Sequence, residues 1–180
     1  MAYRTEYISP IRKLILSSDG EGLTGVWLSE QKYLEATLKD KEICEKDDLP
    51  IFEQTKEWLD RYFSGKRPKI QELVLHPEGS PFRQRVWAHL CAIPYGETTT
   101  YGAIAGKVAL EMNRPHMSAQ AVGGAVGHNP ISIIIPCHRV VGTQGSLTGY
   151  AGGLDVKKWL LSWEGVDMSG LSEPRYTTAP

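Results

Sequence analysis

Asn129-Pro130-Ile131-Ser132-Ile133-Ile134-Ile135-Pro136-Cys137-His138-Arg139-Val140-Val141-Gly142 is the stretch that decides how this chain is read. A β-branched run bounded by prolines predicts a buried strand over Ile131–Ile135, and a cysteine follows it after one residue. A lone cysteine behind a core strand is ordinarily an inert buried thiol. Its neighbours change that reading, because a thiol of pKa about 8.5 needs an adjacent base or positive charge to become a nucleophilic thiolate. His138 and Arg139 supply both kinds of group. On an extended segment successive side chains face opposite ways, so His138 is expected to reach the sulfur through a water or a bend. A carboxylate would then orient the imidazole. Glu164, at the end of a helix expected over Asp155–Trp163, is a candidate, although spacing alone does not bring it to His138.

Working outward, the preceding segment reads as helices separated by breakers. Ser80 caps a helix with Pro81 in its first turn, and Phe82, Val86, Trp87 and Leu90 share a face, which predicts helix from Pro81 to Ala92. Pro94-Tyr95-Gly96 stops it. Thr98–Thr100 is either extended or the cap of a helix from Tyr101 to Val108, Asn113-Arg114-Pro115 breaks that helix, and Ser118 caps another running to about Val126. The last of these, SAQAVGGAV, carries almost only small side chains. Two readings stand: tight packing on a neighbouring helix, or the second helix of a helix-turn-helix whose backbone comes close to DNA.

The first half reads differently. Tyr3–Tyr7, Lys13–Leu16 and Leu23–Leu28 are extended signals, with a turn at Ser17-Ser18-Asp19-Gly20. Apolar residues at Ile51, Phe52, Trp58, Leu59 and Phe63 predict an amphipathic helix ending near Gly65, and Gly65–Glu78 reads as a crossing segment. The fold class expected is therefore α+β, with a small sheet unit before a mostly helical one.

Composition sets the limits. The chain has 180 residues, 41% hydrophobic and 23% charged, which is a globular balance for one or two small domains. The net charge of -1 excludes a globally basic nucleic-acid binder, but it is uneven: residues 1–80 carry 12 basic and 15 acidic side chains, residues 81–153 carry 5 and 2, and residues 154–180 carry 3 and 4. Only the middle portion is basic. Three cysteines, Cys44, Cys91 and Cys137, without paired spacing exclude a disulfide framework and a Cys-rich zinc site. No apolar run reaches the roughly 18 residues that span a bilayer and the amino terminus has no signal-peptide segment, so a cytoplasmic protein is expected.

Taken together, Ile135-Pro136-Cys137-His138-Arg139-Val140, with Ala121-Val122-Gly123-Gly124-Ala125 and Asn129-Pro130 before it and Gly149-Tyr150-Ala151-Gly152-Gly153-Leu154 and Trp159-Leu160-Leu161 after it, resembles the O6-alkylguanine-DNA alkyltransferase family. The resemblance is strong over Ser80–Gly165 and looser over the amino-terminal hairpins. It implies a ribonuclease-H-like α/β domain over residues 1–76, a DNA-binding and alkyl-transfer domain with a helix-turn-helix and an active-site cysteine loop over 77–166, and a tail over 167–180. The implied function is DNA repair: a monomer binds double-stranded DNA, flips the alkylated guanine out of the stack and takes its alkyl group irreversibly onto one cysteine, with no cofactor and no metal. Whether O4-alkylthymine is also accepted stays open.

By the same resemblance Cys137 is the acceptor, His138 the base acting through water, Glu164 its partner, Tyr101 the proton donor to guanine N3, and Asn129 the hinge residue bridging backbone groups. Ser118, Ala119, Gln120, Ala121 and Gly124 would face DNA. The carbonyls of Cys137 and Val140 would accept from the guanine amine, Tyr150 and Ala151 would line the base pocket, and Arg139 would act both structurally and electrostatically. The chain departs from the family at Gln120, where many relatives place an arginine that fills the vacated stack, and at Ala151, where some place a serine. The segment Lys107–Met117 is longer than in several relatives, and the zinc-binding set of some amino-terminal domains has no counterpart. Other readings are weaker: a non-catalytic damage binder has no need of Cys137, a thiol hydrolase lacks an oxyanion-hole pattern, and a plain helix-turn-helix regulator leaves the cysteine motif unexplained.

Overall fold

Strands β1 (Ala2–Ile8), β2 (Lys13–Ser18) and β3 (Leu23–Leu28) form an antiparallel meander in the computed structural model, which describes residues 1–174. Leu14, Leu16, Val26 and Leu28 are wholly buried, so apolar burial sets the register. The turn expected at residues 17–20 lies two residues later. Ser17 and Ser18 stay in β2 because their hydroxyls are satisfied there, Ser17 by Thr24 at 2.8 Å and Ser18 by the Gly22 carbonyl at 2.7 Å. Asp19 closes the turn by accepting from the amides of Glu21 and Gly22, both at 2.9 Å. A short strand β4 (Ile43–Glu45) pairs parallel with β1, giving the order β3-β2-β1-β4. Helix α1 (Pro50–Phe63) places Ile51, Phe52, Thr55, Trp58, Leu59 and Tyr62 on its buried side, the amphipathic pattern expected.

The chain divides into two compact units, one of residues 1–78 with 130–134 and the other of residues 79–129 with 135 onward. The expected boundary at 76–77 lies close to the first division, but Pro130–Ile134 returns to the first unit. Pro130 accepts from the Val26 amide at 2.8 Å, and Ser132 donates back to the Val26 carbonyl at 2.9 Å.

The second unit contains α2 (Pro81–Cys91), β5 (Thr99–Thr100), α3 (Tyr101–Glu111), α4 (Ala119–Gly127), β6 (Val140–Val141) and α5 (Leu154–Trp163). The starts of α2, α3 and α4 each have a local cause. Ser80 accepts from the Arg83 amide, Thr100 from that of Ala103, and Ser118 from those of Gln120 and Ala121. Asn113, with φ 51°, turns the chain out of α3, and the Arg114 amide returns to the Ala109 carbonyl at 2.9 Å. Trp87 of α2 donates to the Ala125 carbonyl at 2.8 Å and fixes α4 against α2.

One expectation needs correction. Ile131–Ile135 is not a strand: one isolated bridge at Ile131 leads into turns, with Ile133 at φ 71° and the Ile134 amide bonded to Ser132. The left-handed backbone at Ile133 and the Ile134 to Ser132 bond turn the chain before a ladder can continue, so the isoleucines are buried as turn residues. Part of the segment from residue 167 is packed. Met168 and Leu171 lie against the buried cluster of Val141, Leu147 and Leu161, and the Leu147 amide donates to Ser172 at 2.9 Å. The remainder of that segment, 175–180, lies outside the described residues.

Candidate active site

Cys137 opens a single 3-10 turn, Cys137–Arg139, rather than continuing an extended segment. The turn follows from Pro136, whose carbonyl accepts from Arg139 at 3.1 Å, and the Val140 amide then bonds to the Cys137 carbonyl. Side-chain alternation therefore does not apply here, and His138 and Arg139 both turn inward, at 0% and 7% exposure. Parallel pairing of Thr99 with Val140 and Thr100 with Val141 sets the first residue of α3, Tyr101, beside the cysteine turn. Glu164, immediately after α5, closes the site from the other end of the sequence.

The Glu164 carboxylate is the centre of the buried polar network. Oε1 lies 2.7 Å from His138 Nε2 and 3.0 Å from Arg139 Nη2, and Oε2 lies 2.7 Å from Arg139 Nε. Arg139 Nη1 donates to the Ile93 carbonyl at 2.7 Å, so its guanidinium is spent inside the protein. Burial opposes ionisation of Glu164, yet His138 and Arg139 outweigh it and hold the carboxyl well below the usual carboxylate range. A carboxylate only accepts, so the neutral imidazole carries its proton on Nε2 and keeps a lone pair on Nδ1. Nδ1 is buried and has no partner among the described residues. Burial pushes His138 below its ordinary value despite the attraction of Glu164, which favours the neutral ring.

Cys137 is 5% exposed. Burial raises its thiol pKa, while a hydrogen bond from the Asn129 side chain and the charge of Lys157 act in the opposite direction. Asn129 is itself buried and donates through Nδ2 to the Ile135 carbonyl at 2.9 Å, tying the residues before and after the turn. Tyr101 donates to the Thr148 carbonyl at 2.8 Å, and burial raises its phenol well above the ordinary value. Gly149 lies against it at φ 76°, where a Cβ would stand 2.7 Å from the Tyr101 hydroxyl.

The structure thus brings Cys137, His138, Arg139, Glu164, Asn129, Tyr101 and Val140 into one neighbourhood, with Tyr150 and Ala151 half-buried in the segment after Gly149. Ser118, Ala119, Gln120 and Ala121 are separate and exposed at the start of α4. Gly124 is half-buried, and nothing stands within 4 Å of where its Cβ would be. The packing reading of the small-residue helix holds for Val122, Ala125 and Val126, which point inward, while the opposite side stays open. Among the described residues no three His, Cys, Asp or Glu side chains are grouped to hold a metal ion.

Lys157 was not singled out in the sequence, and it lies at 0% exposure in the same site. Its ammonium donates to the carbonyls of Val140 at 2.6 Å and Thr148 at 2.8 Å. Burial brings its pKa down to about 8, partly offset by Cys137. The available signal was a lysine three and four residues before Leu160 and Leu161, on the apolar side of α5.

A single thiol placed before a buried histidine, carboxylate and guanidinium is an arrangement suited to chemistry at one cysteine. Known proteins narrow that chemistry. The ribonuclease-like domain of 6-O-methylguanine DNA methyltransferases matches residues 2–77, and the DNA-binding domain of the same proteins matches residues 81–166. The Haemophilus influenzae methylated-DNA--protein-cysteine methyltransferase is 43% identical over 90% of this chain and 86% of its own. The crystal structure of the Mycobacterium tuberculosis O6-methylguanine methyltransferase superposes with a TM-score of 0.76 at 40% identity, covering 91% of this chain and 93% of that one. The M. tuberculosis OGT in complex with DNA gives 0.77 at 39% identity, covering 90% and 92%. The chain belongs to the 6-O-methylguanine DNA methyltransferase family.

Proposed function

We propose that this protein repairs DNA by transferring the alkyl group of O6-alkylguanine to Cys137, once per molecule. The observation that carries the reading is the buried His138–Glu164–Arg139 network beside Cys137, with the lone pair of His138 Nδ1 left for a proton. The raised thiol pKa means that the resting sulfur is protonated, so a base is needed. His138, neutral because of its burial, takes the thiol proton through a water at Nδ1. Glu164, kept ionised by Arg139, holds Nε2–H and stabilises the imidazolium that forms. The sulfur then forms a bond to the alkyl carbon as the carbon–O6 bond breaks and its electron pair returns to guanine. Tyr101 gives its phenolic proton to guanine N3 and is reprotonated by way of His138. The net change is an S-alkyl cysteine and an unmodified guanine, the thiol hydrogen having moved to the base.

Duplex DNA would meet Ser118–Ala121 and Gly124 of α4, acting as the second helix of a helix-turn-helix, with Gln120 filling the gap left by the flipped base. The Cys137 carbonyl accepts from the Val140 amide and the Val140 carbonyl from Lys157, and a carbonyl oxygen has a second lone pair that the guanine amine would use. Since Cys137 is only 5% exposed, a base reaches it when Tyr101 or the Gly149–Ala151 segment gives way. All groups of the relay come from one chain, which fits a monomer, and we place it in the cytoplasm on the unpaired cysteines. Incubation with duplex DNA containing O6-methylguanine, followed by mass measurement of the Cys137 peptide, tests the proposal. One methyl per protein, lost in Cys137→Ala, is expected; methyl uptake by Cys137→Ala, or none by the wild type, would refute it.

A further inference from the structure

Lys157 is a buried charge that the reaction as described does not use. Burying an ammonium is unfavourable unless it is fully engaged, and an apolar residue of similar volume is often the more stable choice. Its two acceptors are specific. Val140 lies directly after the cysteine turn, and Thr148 is the residue to which the Tyr101 hydroxyl also donates. The Thr148 carbonyl therefore accepts from Tyr101 and Lys157 together, both at 2.8 Å, which uses its two lone pairs. Lys157 Nζ lies 5.9 Å from the centre of the Tyr101 ring, so the same side chain also borders the phenol.

A Tyr101 hydroxyl bonded to Thr148 cannot at the same time donate to a base. Turning away would strand a half-buried carbonyl if Tyr101 were its only donor, and that would hold the phenol in place. We propose that Lys157 is a positioning residue for alkyl transfer: by holding the Thr148 carbonyl it releases the Tyr101 hydroxyl to the flipped base. The inference rests on the reading of Tyr101 as proton donor given above.

The test is a comparison of single-turnover methyl transfer from O6-methylguanine duplex DNA at saturating protein, in wild type, Lys157→Met, Tyr101→Phe and the double variant. Lys157→Met should slow transfer about tenfold or more in the presence of Tyr101 and have little further effect in the Tyr101→Phe background. A purely structural lysine would cost the same factor in both backgrounds, and that result overturns the proposal. So does wild-type speed in folded Lys157→Met. The charge of Lys157 also acts on the Cys137 thiol, so reaction of the thiol with iodoacetamide, which involves no nucleobase, is measured alongside; an equal loss there assigns the lysine to the sulfur and overturns its role through Tyr101. Should Lys157→Met not fold, Lys157→Gln, which keeps an N–H donor, carries the same comparison, with a smaller loss expected only where Tyr101 is present. Absence of methyl transfer in the wild type would instead remove the functional reading itself.

Discussion

Glu164→Gln is nearly isosteric but removes the negative charge and replaces one acceptor with a donor at the centre of the network. The carboxylate accepts from His138 Nε2 at 2.7 Å and from Arg139 Nε and Nη2 at 2.7 and 3.0 Å. A carboxamide has a single accepting oxygen. If that oxygen stays on Arg139, the amide NH2 meets His138 Nε2 and forces the ring proton to Nδ1. The atom that should take the thiol proton then becomes a donor. Loss of a positioned base of this kind lowers the rate by about 10²-fold or more. Stability falls as well, because Arg139 keeps a buried charge with half its partner removed; breaking such a pair costs about 3–5 kcal/mol when the partner is deleted, and the neutral amide should recover part of that. Single-turnover transfer at neutral pH, measured beside urea unfolding, separates the two effects. A folded Glu164→Gln protein transferring methyl within about threefold of the wild-type rate would refute the assigned ring orientation and the relay with it.

Acid should unfold the protein early. Glu164 and His138 both have folded-state pKa values below their ordinary ones, so at low pH the unfolded chain binds more protons than the folded one. The His138 share is present above about 6.5 and is lost as pH falls below it, while the Glu164 share is lost below about 4.5. Urea midpoints from pH 7 to pH 4 check this, and His138→Gln should flatten the upper part of the curve. Gly149→Ala should lower both stability and transfer rate, by about 1 kcal/mol or more for the left-handed backbone and further for the displaced Tyr101 hydroxyl, read by urea unfolding and single-turnover kinetics. Gly124→Ala should act in opposite directions: the free protein gains up to about 1 kcal/mol because nothing blocks the new Cβ within the helix, whereas duplex affinity, measured by titration, should fall if that side meets DNA.

The parts of this fold most legible in the sequence were those governed by local rules. Ser80, Thr100 and Ser118 each preceded a helix start, and Asn113 ended α3, because capping depends on neighbours a few residues away. The isoleucine run misled because β-branching reports burial as much as strand geometry, and the chain turns at Ile133. Glu164 could be named as the partner of His138 through family resemblance, but its approach depends on α5 folding back, which no spacing encodes. Lys157 escaped notice because a lysine among apolar residues reads as a solvated end of a helix until the carbonyls it serves are seen.

The excursion of Pro130–Ile134 into the sheet unit limits how the molecule can be divided. A gene cut after residue 78 would yield a carboxyl-terminal product in which Ile131, Ile133 and Ile134 lose the strand edge that buries them, only a few residues upstream of the reactive sulfur. Such a product should be sticky and poorly soluble even with every residue of the relay intact. Grafting the cysteine segment onto another scaffold would therefore have to bring a substitute for Val26 along with it.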